Sequence, residues 1–141
     1  MAREAQNLVE RQDIQANYEV LVPGKTTILE MINVEPGQKE VLRGAILVEG
    51  ANKMYKKAAA ADIATGKKLV IANDYVDTGA EATGVAAVIN AIVSGLVIRD
   101  NVKVEGGELT AANELTLREQ GINFTSMVHN DGKHDTVNNK L

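Results

Sequence analysis

Gly84-Val-Ala-Ala-Val-Ile-Asn-Ala-Ile-Val-Ser-Gly-Leu-Val-Ile98 is a long, dense apolar run broken only by Asn90 and Ser94-Gly95. Read by residue type, it divides at Asn90 into one strand over 84–89 and another over 91–98. The first half is rich in alanine, so a buried helix fits its composition as well as a strand does. Gly95 interrupts the second half, where it marks a bulge or a point at which another backbone comes close. Upstream lie three shorter runs of the same texture: Ala45-Ile-Leu-Val48, Lys53-Met-Tyr-Lys56 and Leu69-Val-Ile-Ala72. Residues 50–52 form a connection tight enough to make the first two a hairpin. Residues 57–68 hold either one helical turn or an extended loop, and residues 73–82 read as a loop rich in Asp, Thr and Gly. Downstream, Glu105-Gly-Gly107 is a turn, and one helix follows over 110–119. Thr110 is its N-cap, Glu114 and Arg118 are spaced as an i,i+4 ion pair, and Gly121 stands where a helix end favours a left-handed residue. Ile122 to Val128 forms a closing strand with Ile122, Phe124, Ser126 and Val128 on one face. Residues 41–128 are therefore expected to form a mainly β fold with one short α-helix, a small compact domain of barrel-like type.

The two ends differ in composition from this middle. Residues 1–17 are polar and of mixed charge, and a disordered arm is favoured there over a short helix. Tyr18 to Val22 and Thr26 to Val34 are β-prone, separated by Pro23-Gly24 and closed by Pro36-Gly37. Residues 1–40 are thus read as an extended N-terminal arm, dispensable for folding of the domain behind it. In an extended chain Tyr18, Val20 and Val22 share one side, and Ile28, Ile32 and Val34 share one side of the next segment. Such an arm can add a strand to a partner's sheet through main-chain hydrogen bonds. Residues 129–141 read as a polar, flexible tail with too few apolar side chains to repay ordering.

Composition narrows the chemistry. There is no cysteine, so thiolate nucleophiles, disulfides and Cys-based metal sites are excluded. The two histidines, His129 and His134, both lie in the tail. The net charge of −4 argues against a nucleic-acid partner, which calls for a basic face. Tyr18, Tyr55, Tyr75 and Phe124 are the only aromatic residues, too few for a base- or sugar-stacking platform. No apolar stretch approaches the roughly 20 residues of a membrane-spanning helix, and the first residues lack the apolar centre of a signal peptide. The expectation is a non-secreted protein with no nucleic-acid or membrane partner.

Each motif that suggests chemistry has a simpler reading. Gly24-Lys25-Thr26 resembles the end of a phosphate-binding loop, but Glu19 stands where that loop requires its first glycine. A β-turn before a strand accounts for it. His129, Asp131, His134 and Asp135 have metal-ligand side chains, yet their spacing matches no helical pair. Asp62, Asp74 and Asp77 are loop carboxylates with nothing in the sequence to bring them together as an acid and base. Gly106-Gly107 is a turn ahead of a helix. Ala58 to Ala61 is either a close subunit contact or a surface turn. An enzyme working through Lys67 or Lys68 would need a pocket and a shifted pKa. No catalytic, cofactor-binding or metal-binding residue is therefore assigned, and a structural or binding protein is expected rather than an enzyme.

The order of features from Arg43 to Val128 resembles the head decoration protein D family of tailed bacteriophages. The resemblance is carried by Arg43-Gly-Ala-Ile-Leu-Val-Glu-Gly50, Leu69-Val-Ile-Ala-Asn-Asp-Tyr-Val-Asp77, Thr83-Gly-Val-Ala-Ala-Val-Ile89 and Ala91-Ile-Val-Ser-Gly-Leu-Val-Ile98. Its most specific segment is Leu109-Thr-Ala-Ala-Asn-Glu-Leu-Thr-Leu-Arg-Glu-Gln-Gly-Ile-Asn-Phe124. The match covers about 60% of the chain by residue positions 43–128; the long N-terminal region and the polar tail have no obvious counterpart in it. The resemblance implies a virion protein without cofactors that binds the major capsid protein on the outer surface of the expanded head. It implies homotrimers at three-fold positions that stabilise the shell against DNA pressure. The capsid-binding residues expected in the arm are Tyr18, Val20, Val22, Ile28, Ile32 and Val34. A small β-rich adaptor, or a head or tail completion protein, is the alternative.

Overall fold

The computed structural model describes residues 20–22 and 24–126. Its strands are β1 (Ile28–Val34), β2 (Glu40–Val41), β3 (Ile46–Glu49), β4 (Met54–Lys57), β5 (Leu69–Ala72), β6 (Val76–Asp77), β7 (Ala87–Ile98) and β8 (Ile122–Thr125). One α-helix, α1 (Ala111–Glu119), lies between β7 and β8. The chain is mainly β with a single short helix among the described residues, as its composition predicts. The strands pair in the order β1-β4-β3-β5-β7-β8, and β1 also pairs with β7, so five of them close a ring. The hairpin expected over residues 45–56 is present, with Leu47 opposite Lys57 and Glu49 opposite Tyr55. Two-residue strands β2 and β6 form a separate small ladder.

Of the stretch 84–98, residues 87–98 fold as one strand, not as two strands or a buried helix, and residues 84–86 belong to the loop before it. β7 runs twelve residues through Asn90 without a break. Asn90 is polar, which is why the sequence reads as interrupted there. Its backbone nevertheless stays extended: its N–H donates to the Asp74 carboxylate at 2.8 Å, and its carbonyl accepts from Asn73 N–H at 2.9 Å. A helix is excluded because β7 has partners along both edges. Ile92 lies opposite both Leu29 and Ile71, and Val97 is flanked by Leu21 and Phe124.

The ring buries side chains on both faces, and strand alternation sorts them. Ile32 and Val34, Leu47, Tyr55, Val70 and Ala72, and Ile89 and Ala91 come from all five ring strands and fill its interior. The opposite parity of β3, β5 and the first part of β7 supplies Ile46, Val48, Leu69, Ile71 and Ile92 to a second core, which Val97 joins from beyond an irregularity in the β1–β7 ladder. Leu117 of α1, Ile122 of β8, and Ile63, Val102 and Val104 of the loops cover that outer half. Fully burying one such aliphatic side chain is worth about 1.5–3 kcal/mol. The helix is held as its capping residues predict: Thr110 Oγ1 accepts from Asn113 N–H at 3.1 Å, and Gly121 takes a positive φ of 98°. Glu114 does not turn to Arg118. Its carboxylate accepts from Arg99 Nε at 2.9 Å, because the turn after β7 brings that guanidinium against the helix.

The expected boundary at residue 40 does not divide the fold. Val20 is buried in the outer core, and its carbonyl accepts from Ile98 N–H at 2.8 Å. β1 pairs with β7 along its whole length and with β4 at Asn33 and Val34. Residues 28–34 are one stave of the ring, not an arm lying ahead of it. The β propensity of this segment is satisfied within the chain. A chain beginning at Glu35 should therefore fail to fold, seen as collapsed amide dispersion in a proton–nitrogen NMR spectrum. A dispersed, native-like spectrum would restore the separate-arm reading.

Close backbone approaches pin the ring at two glycines. At Gly95 (φ +143°) an added Cβ would lie 3.0–3.2 Å from Thr27, as the sequence predicts for a glycine inside a strand. At Gly44 (φ +100°) an added Cβ would collide with the Asn101 carbonyl oxygen. Gly44→Ala should cost more than about 2 kcal/mol by combining a clash with left-handed strain. Gly107→Ala, with open space around it, should stay within about 0.5 kcal/mol of the parent. Urea denaturation midpoints would compare the two.

Candidate binding surface

One stretch of the ring's outer wall has no covering layer among the described residues. Neither β1 nor β4 contributes to the outer core. The outer face of β1, with the first half of β7, therefore meets solvent. It carries Ile28, Leu29 and Met31 with Val88, exposed by 58, 43, 61 and 58%. Val85, in the loop leading into β7, is 85% exposed. Met31 lies opposite Asn90, and Asn33 opposite Val88, so Met31 and Val88 are diagonal neighbours on one face.

Ile28 shares sequence parity with Ile32 and Val34, which are buried, yet at the start of the strand it is exposed, as is Glu30. The ladder pairs Ile28 with Ser94 and Leu29 with Ile92, leaving Val93 as the extra residue of a bulge on β7. The extra residue shifts the alternation of β7, so Val97, of the same sequence parity as Ile89 and Ala91, lies in the outer core.

The residues expected to bind a partner scatter. Val20, Ile32 and Val34 are buried and cannot meet a partner while the ring is intact. Their alternation is real, but its apolar side faces the core. Val22 is half-buried, Ile28 is at the surface, and Tyr18 lies outside the described residues. Leu29, Met31, Val85 and Val88 were not singled out by sequence. In Ile28-Leu-Glu-Met-Ile-Asn-Val34 both parities are apolar, and only pairing decides which side is covered.

The carboxylates noted in the sequence serve the backbone. Asp62 accepts from Ala59 N–H at 3.0 Å, Asp77 from Gly79 N–H at 2.8 Å, and Asp74 from Asn90 N–H. No three metal-ligating side chains cluster among the described residues, and His129, Asp131, His134 and Asp135 lie outside them. Gly24-Lys25-Thr26 follows a turn in which Lys25 N–H donates to the Val22 carbonyl at 3.3 Å. Of the alanine run, Ala58 is fully buried, while Ala60 and Ala61 are exposed in a 3-10 turn over Ala60–Asp62, so the run is a surface turn anchored by one core residue.

A concave feature lies on another part of the ring. A cleft of about 410 Å³ is lined by Lys39, Glu40, Lys57, Lys103 and Glu105 over a floor that includes Leu42, Ala45, Ile46 and Val104. Lys57 Nζ pairs with Glu105 at 2.9 Å and donates to the Glu40 carbonyl at 3.2 Å. The Glu40 carboxylate accepts from the Tyr75 hydroxyl at 2.7 Å, which raises the Tyr75 phenol's pKa. Burial pushes the Lys103 ammonium down from its ordinary range.

Tyr55 is the aromatic residue of the ring interior. Its hydroxyl is buried and makes no hydrogen bond at full bonding geometry. Burial raises its pKa, and the Lys68 ammonium, itself paired with Glu30 at 3.3 Å, pulls more weakly the other way. No family profile, no curated protein and no solved structure matches the chain.

Tyr55 has a measurable consequence. Because its phenol holds its proton above pH 10 in the fold, the folded chain binds more protons than the unfolded one in the window just above 10. The corresponding stability is fully present below about pH 10 and falls as pH rises through that window. Tyr55→Phe should leave neutral-pH stability within about 1 kcal/mol of the parent, because no strong hydrogen bond is lost. It should also flatten the alkaline decline. Melting temperatures from pH 8 to 11 would test both, and an unchanged alkaline slope would count against this origin.

Proposed function

We propose that this chain is a capsid decoration protein of a tailed bacteriophage. It binds the outer surface of the expanded head as a homotrimer at three-fold positions and stabilises the shell against DNA pressure. The observation that carries this reading is the uncovered apolar strip of Ile28, Leu29, Met31 and Val88 on a ring whose remaining outer half is packed. Exposed apolar side chains grouped on one face mark a surface meant for another protein. The resemblance over residues 43–128 names that protein as the major capsid protein, and the lack of any cysteine or core histidine suits a role without chemistry.

The physics of attachment follows from the size of the strip. Four half-exposed apolar side chains offer about 1 kcal/mol each on burial, a weak contact for one copy. Three copies held together multiply their effective concentration at a three-fold position, so weak contacts give lasting occupancy. The −4 net charge keeps such a protein off DNA.

The Met31→Glu, Val88→Glu double variant should melt within a few degrees of the parent, since both side chains are exposed. It should lose most of its binding to expanded shells in a sedimentation assay. Normal occupancy by this variant would move attachment off the strip, and single copies placed away from any three-fold position in capsid density would reject the trimer.

A further inference from the structure

We infer that the first half of β1 accepts an extended strand of the major capsid protein, held by main-chain hydrogen bonds at Leu29 and Met31. This contact rests on the decoration role proposed above and gives that role its form.

The direction of the β1 backbone follows from its partners. In an antiparallel ladder, pairs that exchange hydrogen bonds alternate with pairs whose N–H and C=O turn to opposite edges. Met31 lies opposite Asn90. The Asn90 N–H donates to the Asp74 carboxylate and its carbonyl accepts from Asn73 N–H, and both of those residues follow β5 on the other edge of β7. Met31 therefore turns its own N–H and C=O away from β7, and so does Leu29, two residues before it. Farther along the same edge the pattern holds, since Glu35 N–H donates to the Tyr55 carbonyl of β4 at 2.9 Å.

β4 covers this edge only in part. It pairs with β1 at Asn33 and Val34 and begins at Met54. Asn52 and Lys53, both with φ of 59°, turn the chain before it into the β3–β4 hairpin. Among the described residues, no strand lies beside Leu29 and Met31 on this edge, and no backbone hydrogen bond reaches them there. The N–H and C=O of both residues stay open in the line that β4 would follow.

Open main-chain groups of this kind fit an extended backbone, and the side chains beside them fit an apolar one. Leu29 and Met31 belong to the exposed strip, with Val88 across the ladder. Ile28 to Val34 contains no lysine or proline, residues that keep an exposed edge from pairing. Strand addition satisfies the main-chain groups and lays alternate side chains over the strip.

Glu30 decides against a second copy of this chain as the occupant. Two β1 edges meeting antiparallel, Leu29 of each against Met31 of the other, would set two Glu30 carboxylates directly opposite, an unfavourable pair. A strand from a different protein, with an uncharged or basic residue at that position, carries no such penalty. The occupant is therefore a β-prone segment of the capsid protein, apolar at alternate positions and not acidic opposite Glu30.

Hydrogen exchange of the full-length chain, free and bound to expanded shells, tests this when single amides are resolved by electron-transfer fragmentation. In the free protein the Leu29 and Met31 amides should exchange at least about tenfold faster than those of Glu30 and Ile32, which face β7. On shells both should slow by at least about tenfold. Met31→Pro removes the outward N–H and leaves the β7 ladder in place, whereas Met31→Ala keeps that N–H. In sedimentation with shells, Met31→Pro should bind at least about tenfold more weakly than Met31→Ala. A parent chain that sediments with shells while its Leu29 and Met31 amides exchange as in the free protein would overturn strand addition and leave decoration standing. Equal losses in the two variants, both melting cooperatively, would do the same, and the exchange result on the parent chain decides if Met31→Pro does not fold. A parent chain that does not sediment with shells would overturn the decoration role and this contact with it.

Discussion

The ring closes through the backbone ladder between β1 and β7, and the rest of the structure depends on that closure. β7 is long enough to pair with β1, β5 and β8, so it fixes the place of strands that are far apart in sequence. Every unpaired N–H and C=O in a buried strand is costly, which makes a strand with two occupied edges a strong organiser. Gly95 lets Thr27 approach β7, and Gly44 lets the segment after β7 come back against the β3 edge. These contacts set the width of the ring and thereby the space that Leu47, Tyr55 and Val70 fill.

The same closure creates the asymmetry of the outside. Among the described residues, a single α-helix and a few loops cover only part of the ring's outer wall. They are placed over β3, β5 and the second half of β7, where Leu117 and Ile122 meet Ile92 and Val97. The wall formed by β1 and the start of β7 is left to solvent with apolar side chains in place.

The strip and the cleft suit different kinds of contact. The strip is apolar and convex, suited to a protein surface that excludes water over several side chains. The cleft is concave and lined by charges of both signs, Lys39, Lys57 and Lys103 with Glu40 and Glu105. Neither relies on the paired acid and base groups of a hydrolytic site, since Asp62, Asp74 and Asp77 are engaged by backbone N–H groups.

Much of the fold was legible in the sequence because local chemistry dictates it. Runs such as Leu69-Val-Ile-Ala72 have a strand as their natural state, Thr110 and Gly121 bracket a helix, and residues 50–52 are too short to join Val48 to Lys53 except as a hairpin. What β1 does was not legible. Ile28 to Val34 is β-prone in any setting, and its alternation is equally consistent with a free strand awaiting a partner and with a stave inside a ring. The choice rests on a pairing with residues some sixty positions away, a long-range contact that leaves no mark on local propensity. The exposed strip was hidden for the same reason, since both parities of β1 are apolar and only its pairing decides which side is covered. The sequence by itself determined a small β-rich chain with one capped helix and little catalytic equipment. The tertiary structure alone decided which apolar faces are core and which are surface, because burial is a property of pairing between distant strands.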